Sequence, residues 1–199
     1  MPRHKDSNKE NIMSETRALL LQAATEEFAR EGFKGANINH ISKNAGFAKG
    51  TVYNYFESKR ALMLALIDKI AGGHWDFMAY QIRQEEDPAR RLECFFDAGF
   101  SWVTDNLAQA RVLFTTLNGT DQEFKIRMYE AYQPMFQMVA REILAAGMEQ
   151  GIFRQLEPVS TAGLIMNIYL GTGSQVNEQG QQWLPTGQVA EFVLNALQK

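Results

Sequence analysis

Apolar residues recur along most of this chain at intervals of three and four, which is the spacing of one face of an α-helix. In the first periodic stretch Leu21, Ala24 and Phe28 follow this spacing, and Gly32 then provides a stop signal. The alternation of apolar and polar residues that predicts β-strands is not strong anywhere in the sequence. The pattern therefore predicts an all-α protein of about nine helices.

Caps and glycines predict where the first helices begin and end. The polar residues 1–13 show no periodicity, and we expect a disordered tail that ends where Ser14 caps the first helix. Ser58 begins a later helix. The pair Gly72-Gly73 inside that helix predicts a bend or a break, because a glycine weakens a helix by about 1 kcal/mol relative to alanine.

Prolines shape the prediction for the middle of the chain. Asp87 followed by Pro88 is a cap followed by a suitable first helical residue. Thr120 and Glu123 predict a capping box for a long helix, and Pro134 should kink that helix about one turn earlier. We therefore expect a bent helix in this part of the protein.

Two helices joined by a tight turn are predicted for residues 37–56, whose sequence is NINHISKNAGFAKGTVYNYF. Asn37 is a suitable cap for the first helix, and Gly46 ends it. The apolar residues that would hold the two helices together are Ile38, Ile41, Ala45 and Val52. This is the helix-turn-helix arrangement, which leaves the outer face of the second helix free to enter the major groove of DNA, about 12 Å wide.

Polar side chains and one glycine are concentrated on the second of these helices, over residues 49–55. The donors that this helix offers to DNA are Lys49, Thr51, Tyr53, Asn54 and Tyr55. Gly50 has no side chain and lets the backbone approach DNA closely. An alternative is a solvated helical hairpin whose aromatic residues belong to the core, and we accept that interpretation for Val52 and Phe56.

The sequence GFKGANINHISKNAGFAKGTVYNYFESKRAL, residues 32–62, resembles the DNA-binding region of the TetR family of bacterial transcriptional regulators. The matching features are Gly32-Phe33, Ile41-Ser42, Ala45-Gly46, the run from Lys49 to Tyr53, Tyr55-Phe56 and Ser58-Lys59. The resemblance is detailed over residues 14–65, and beyond them the all-helical plan and one turn near Gly151 are similar. It implies a three-helix DNA-binding domain over residues 14–60 and a helical ligand-binding and dimerisation domain over residues 61–199.

The resemblance also implies roles for individual residues. Asn37 would cap the second helix of the domain at a phosphate, where a threonine is more usual in the family. It implies that Lys49, Gly50 and Thr51 contact base edges or the adjacent backbone. It implies that Tyr53, Tyr55 and Lys59 contact phosphates. Ala48 stands where the family often has serine, so a side-chain cap and a hydroxyl for phosphate are missing there.

The distribution of charge supports DNA as a partner. The whole chain has a net charge of -3, which taken alone argues against binding to phosphates. Residues 1–60 carry ten Lys or Arg and seven Asp or Glu, a balance of +3, which leaves -6 for residues 61–199. Within residues 33–60 five basic side chains face one acid, Glu57. Residues 1–60 are therefore basic on balance, and residues 61–199 are acidic.

Aromatic and methionine residues are dense in the C-terminal part of the chain. In TetR-like proteins this region holds an inducer cavity, and the resemblance implies a pocket for a small, largely apolar ligand. The candidate pocket residues are Trp75, Met78, Phe96, Phe100, Phe114, Met128, Tyr132, Phe136, Met166 and Tyr169. An aromatic stripe at helical spacing is also typical of an ordinary core, and both interpretations stay open here.

The resemblance implies further that the last two long helices pair with a second subunit in a four-helix bundle. Gly171 and Ser174 permit close packing of one helix, and Phe192, Val193 and Leu197 give the other an apolar face. Packing within one chain is the alternative for the glycine. A homodimer would bind a palindromic operator through two half-sites, which strengthens the binding of two short recognition helices.

Together these observations predict a cytoplasmic, homodimeric DNA-binding repressor that a small-molecule inducer releases from its operator. No membrane segment, cofactor or metal ion is implied, since Cys94 is the single cysteine and the three histidines are far apart. We do not expect an enzyme, because the sequence has neither a nucleophile elbow nor the P-loop spacing. The alternative is a DNA-binding protein of the same fold that acts architecturally or through a protein partner without sensing a ligand.

Overall fold

All regular structure in the described part of the chain is helical. The computed structural model describes residues 3–175, 177, 181 and 183–198. Its elements are α1 (Arg3–Gly35), α2 (Ile38–Asn44), a short 3-10 helix (Thr51–Asn54), α3 (Lys59–Ile82), α4 (Pro88–Asp105), α5 (Leu107–Asn118), α6 (Gln122–Ala131), α7 (Gln133–Glu149, with π-helical bonding over Met138–Ala145), α8 (Pro158–Gly173) and α9 (Thr186–Leu197). The prediction of an all-α protein of about nine helices is confirmed. Among these helices of the described chain, none combines the length and the apolar character needed to cross a membrane.

Helix α1 is longer than the sequence pattern predicts. It begins at Arg3, so the expectations of a disordered tail over residues 1–13 and of a cap at Ser14 are wrong for the residues described, residues 1 and 2 lying outside them. Residues 3–13 contain neither glycine nor proline, and their two lysines and one glutamate are good helix formers. Gly32 ends the regular part of α1 as predicted, because its φ of 67° is left-handed.

Side-chain caps agree with the sequence at two helices and differ at a third. Ser58 and Asp87 accept backbone N–H groups in the first turns of α3 and α4, at 3.0 and 2.9 Å. The cap of α6 is Asp121, whose Oδ1 accepts the N–H of Phe124 at 3.3 Å. The predicted capping box at Thr120 is therefore wrong, because the carboxylate one residue later takes that role.

Glycine and proline affect two long helices differently. Helix α3 continues through Gly72-Gly73, so the predicted break is absent. The flanking Ala71 and His74 are buried, and their tertiary packing outweighs the local cost of two glycines. Pro134 does interrupt the next long helix, since α6 and α7 are separate helices that meet at Tyr132.

Buried apolar side chains form two clusters. The N-terminal core joins α1, α2 and the first half of α3 to the end of α4, α5 and α6, with members that include Leu20, Phe28, Ile41, Val52, Leu66, Val112 and Phe124. The body core joins the second half of α3 to α4, α7, α8 and α9, with members that include Phe95, Phe96, Val139, Phe153, Tyr169 and Val193. Helices α3 and α4 contribute to both cores and thereby connect them.

The N-terminal core extends across the predicted domain boundary at residue 60. Leu113 and Phe124 pack in the same cluster as Leu20 and Phe28. A small domain buries a low fraction of its apolar surface, so α5 and α6 supply packing that the first three helices lack. The division into residues 14–60 and 61–199 stays a prediction, while the packing is continuous across it.

The last turn of α7 requires glycine at position 147, because the chain that follows this helix packs against it. Phe153 is fully buried, and a Cβ at Gly147 would lie 3.1 Å from its Cγ and closer still to the ring edge. We expect Gly147→Ala to lower the free energy of unfolding by about 1–3 kcal/mol, as overpacking of a core does. Urea denaturation followed by circular dichroism measures this change.

Gly72→Ala is the matched control for this substitution. Gly72 is exposed within α3, and a Cβ there would meet no atom within 4 Å. The change should raise the free energy of unfolding by up to about 1 kcal/mol, because alanine is the better helix former. Effects of the same sign for the two variants would contradict the packing at Gly147.

Candidate functional site

A buried carboxylate positions α2, the first helix of the helix-turn-helix. Glu27 of α1 is 1% exposed, and its Oε1 accepts the backbone N–H of Asn37 at 2.9 Å. Arg30 donates to its Oε2 at 2.5 Å. Asn37 caps α2 as predicted, since its Oδ1 accepts the N–H of Asn39 at 2.9 Å. The sequence did not identify Glu27, because a glutamate on a helix is seldom fully buried.

The second helix of the helix-turn-helix is shorter than predicted. In place of an α-helix over residues 49–55 the structure has a 3-10 helix, Thr51–Asn54. Gly46 and Gly50 have φ angles of 83° and 84°, so two left-handed glycines precede this short segment. The predicted turn at Gly46 and the predicted burial of Val52 are confirmed, and the predicted α-helix is wrong.

The residues predicted to contact DNA differ in exposure. The exposed ones are Asn37, Lys49, Tyr53 and Asn54, with Tyr53 at 56%. The half-buried ones are Gly50, Thr51, Tyr55 and Lys59. Tyr55 packs against the N-terminal core, so its ring supports the segment from behind. The exposed side chains of the 3-10 segment are therefore the ones available to a groove, and their DNA contacts stay a prediction.

Lys59 has a structural role in addition to its predicted phosphate contact. Its Nζ donates to the backbone carbonyls of Lys34 and Ala36 at 3.1 and 2.9 Å. The ammonium also lies over the ring of Phe33, 5.1 Å from its centroid. Lys34 lies in the last turn of α1 and Ala36 follows that helix, at an end where a helix leaves carbonyl groups unpaired. A phosphate would therefore compete with these bonds for the ammonium group.

Arg60 connects the start of α3 to the start of α6. Its guanidinium donates to both carboxylate oxygens of Asp121, at 3.1 and 2.8 Å, and to Glu123 at 2.6 Å. These side-chain hydrogen bonds raise the pKa of Arg60 and lower the pKa of Asp121. The guanidinium also lies over the ring of Phe124, 4.7 Å from its centroid. Because the ion pairs are partly exposed, they orient the two helices more than they stabilise the fold.

A cavity of about 580 Å³ lies where the N-terminal core and the body core meet. This volume is in the range of about 300–1,000 Å³ that is typical of small-molecule sites. Its described lining residues are mainly apolar and include no Lys, Arg, Asp or Glu. Exposed polar side chains also contribute to the lining, namely Asn118, Gln133, Asn167 and Ser174. The cavity therefore offers an uncharged interior with polar groups at its solvent-exposed part.

The candidate pocket residues fall into two groups. Those that line the cavity are Phe114, Met128, Tyr132, Phe136, Met166 and Tyr169. The others, Trp75, Met78, Phe96 and Phe100, lie in or against the body core outside the lining. These four lie outside the lining because a helix turns only part of its apolar stripe toward a cavity, and a role for them in ligand binding stays a prediction.

His74 lines the cavity and was not among the candidate pocket residues. Its Nδ1 lies 2.9 Å from the hydroxyl oxygen of Tyr132, and its Nε2 lies 3.2 Å from that of Tyr169. The imidazole stacks on Trp102, with the ring centroids 4.0 Å apart. Its position four residues before the buried Met78 on α3 is a sequence signal that could have predicted its burial.

Burial keeps these three polar groups uncharged. It lowers the pKa of His74 to about 3, so the imidazole is neutral at pH 7. It also raises the pKa of Tyr132 and of Tyr169 above the ordinary value for tyrosine. His74 and the two tyrosines therefore form a neutral hydrogen-bonded chain, here called the His74 triad.

Some residues predicted for the subunit interface are exposed, and others are buried within their own chain. Gly171, Ser174 and Phe192 are exposed, Phe192 at 67%, and the first two also line the cavity. Val193 and Leu197 are buried in the body core of their own chain, and α9 packs on α4. This side of α9 therefore has an intramolecular partner, and the assignment of Val193 and Leu197 to a subunit interface stays a prediction.

Comparisons with known proteins agree with this architecture. Residues 20–66 match the family described as bacterial regulatory proteins, tetR family. The uncharacterized HTH-type transcriptional regulator YvdT of Bacillus subtilis (strain 168) is 28% identical over 157 residues, which are 78% of this chain and 79% of that protein. The matched family segment contains the whole helix-turn-helix, together with the C-terminal half of α1 and the first turns of α3.

Solved structures share the fold over most of the chain. FadR from Bacillus subtilis in complex with stearoyl-CoA superposes with a TM-score of 0.79 at 21% identity, over 92% of this chain and 97% of that chain. AibR in complex with isovaleryl coenzyme A and operator DNA gives a TM-score of 0.71 at 16% identity, over 92% and 97%. Residues 20–66 therefore match the tetR family of bacterial regulatory proteins, and the chain as a whole has the fold of these solved transcriptional regulators.

Proposed function

We propose that this protein is a homodimeric transcriptional repressor that leaves its operator when a small, largely apolar ligand fills the cavity. The observation that carries the proposal is a set of side chains shared by the cavity lining and the N-terminal core. Val103, Ala110, Leu113 and Met128 line the cavity and also belong to the N-terminal core. A ligand that repacks these side chains changes the support of the helix-turn-helix.

Helix α6 provides a direct connection between the cavity and the DNA-binding part. Its first turn holds Arg60 through Asp121, and its last turn contributes Met128 to the cavity lining. Arg127 of α6 also pairs with Asp68 of α3 at 2.7 Å. Because α6 is fixed to α3 at both places, a shift of α6 moves the start of α3 and the segment before it. In a dimer this displacement alters the spacing of the two recognition segments, which then no longer match successive major grooves.

The solved neighbours support a ligand in such a cavity. One is described with stearoyl-CoA and another with isovaleryl coenzyme A and operator DNA. The alternative, a regulator of this fold that senses no ligand, gives no role to an uncharged cavity of about 580 Å³. We expect the protein to act in the cytoplasm, where its DNA partner lies.

Substitution of exposed residues on the 3-10 helix and immediately before it tests the DNA contact. Lys49→Ala and Tyr53→Ala should each lower the affinity for an operator selected from random double-stranded DNA by about tenfold, or about 1.4 kcal/mol. Loss of Lys49 should also make the affinity less dependent on salt, because fewer counterions are released. Fluorescence anisotropy at several salt concentrations measures both effects.

Arg90→Ala is the control for the loss of a surface cation. Arg90 is exposed on α4 and pairs with Glu93 of the same helix at 2.7 Å. Its loss should leave operator affinity unchanged. If Lys49→Ala and Tyr53→Ala bind the operator as tightly as the natural protein, residues 49–54 are not the DNA contact.

A side chain built into the cavity should imitate a ligand. Gly163 lines the cavity, and a Cβ there would meet no atom within 4 Å, so Gly163→Phe can occupy the space. We expect at least tenfold weaker binding of the neutral fluorescent probe N-phenyl-1-naphthylamine. Operator affinity should also fall without any ligand, by about 1–3 kcal/mol of coupling free energy.

Two controls separate this effect from a general disturbance. Gly187→Phe places the same side chain on α9, outside the lining and also in open space. It should change neither probe binding nor operator affinity. In an Arg60→Gln background the effect of Gly163→Phe on the operator should shrink, whereas Arg90→Gln should preserve it. Normal operator affinity in Gly163→Phe, with probe binding lost, would disprove the coupling.

The exposed apolar side chains of α8 and α9 are the proposed contact between subunits. Leu164 is 66% exposed and Phe192 is 67% exposed. Leu164→Glu and Phe192→Glu should each convert dimers to monomers in light scattering, because a carboxylate at an apolar interface loses its hydration. Tyr80→Glu, at a residue 67% exposed on α3, should leave the dimer intact. If Leu164→Glu and Phe192→Glu both remain dimeric, this contact between subunits is excluded.

A further inference from the structure

The His74 triad contains one hydroxyl proton more than its own hydrogen bonds use. A neutral imidazole has one N–H donor and one acceptor nitrogen. Its two bonds, at 2.9 and 3.2 Å, therefore require one tyrosine to donate and the other to accept. The accepting tyrosine keeps its own O–H, and neither hydroxyl makes another hydrogen bond to the described residues. This count is the same for both tautomers of His74.

The spare proton belongs to a hydroxyl on the cavity wall, either that of the buried Tyr169 or that of the half-buried Tyr132. Tyr169 is 3% exposed, and both tyrosines line the cavity. A buried donor without an acceptor is costly, so the triad favours a molecule that brings an acceptor into the cavity. No lysine or arginine is among the described lining residues, so a carboxylate would be buried there without a counter-charge.

Packing holds the triad in one orientation before any ligand arrives. The ring of Tyr169 lies against Gly99, where a Cβ would be 2.6 Å from the hydroxyl oxygen. It also stacks on Phe100, with the centroids 5.5 Å apart. His74 in turn stacks on Trp102. Such a fixed donor loses little conformational freedom on binding and therefore selects strongly for its acceptor.

We propose that the His74 triad binds the carbonyl oxygen of the ligand, so that the protein senses an uncharged ketone, ester or thioester attached to an apolar body. The spare hydroxyl donates to that oxygen, and the rest of the molecule fills the apolar part of the cavity. This assignment rests on the proposed ligand-sensing function. It adds a chemical requirement that an apolar cavity alone does not impose.

A pair of probes that differ only at the carbonyl tests this requirement. 2-Decanone and 2-methyl-1-decene have the same shape, because a methylidene group replaces the carbonyl oxygen. Displacement of N-phenyl-1-naphthylamine gives the affinity of each. We expect the natural protein to prefer 2-decanone by at least about tenfold, since the alkene leaves the donor unsatisfied.

Tyrosine variants connect the preference to the triad. At least one of Tyr132→Phe and Tyr169→Phe should reduce the preference to less than about threefold, because the spare proton is lost or displaced. Tyr129→Phe is the matched control, since Tyr129 also lines the cavity on the exposed side and makes no bond to His74. It should keep the full preference. The ratio of two affinities within one variant is insensitive to changes in folding stability.

The possible results separate this inference from the function on which it rests. Equal binding of the two probes by the natural protein, or a full preference retained in both triad variants, overturns the carbonyl site and leaves the ligand-binding cavity. Binding of neither probe overturns the proposed sensing of a small, largely apolar ligand, and the carbonyl site with it.

Discussion

The helix-turn-helix of this protein depends on the apolar contact between α1 and the helices α5 and α6. Leu20 and Phe28 of α1 share one core with Leu113 and Phe124. The first three helices are too short a segment to bury enough apolar surface on their own. The part that meets DNA therefore takes its shape from helices that also surround the cavity, and any repacking of those helices reaches it without an intervening hinge.

Two buried polar residues determine how the helices are placed on these cores. Glu27 accepts the backbone N–H of Asn37, the residue that caps α2. His74 links α3 to Tyr132, which follows α6, and to Tyr169 of α8. Apolar contacts tolerate small sliding movements, whereas a buried polar group must keep its specific partners. Each residue thus selects one arrangement among several that the apolar packing would accept.

The sequence was informative wherever a feature depends on neighbouring residues. Helical spacing predicted the burial of Ile38, Ile41 and Val52, and glycine predicted the turn at Gly46. It was uninformative where distant segments meet. The apolar stripe could not distinguish Tyr132, which lines the cavity, from Phe96, which packs in the core, and the partners of His74 are 58 and 95 residues away. The cap of α6 is Asp121, one residue after the predicted Thr120, because its carboxylate can also accept a backbone N–H of the first turn.

Under the proposed mechanism, the uncharged lining of the cavity gives ligand binding and operator binding different responses to ionic strength. Binding to an operator releases counterions and weakens steeply as salt rises, whereas burial of an apolar molecule at neutral groups does not. Under the proposed mechanism the ligand works against operator affinity, so a cell with more concentrated cytoplasm would need less of it to free the same promoter. The threshold for induction would then follow the osmotic state of the cell as well as the supply of ligand.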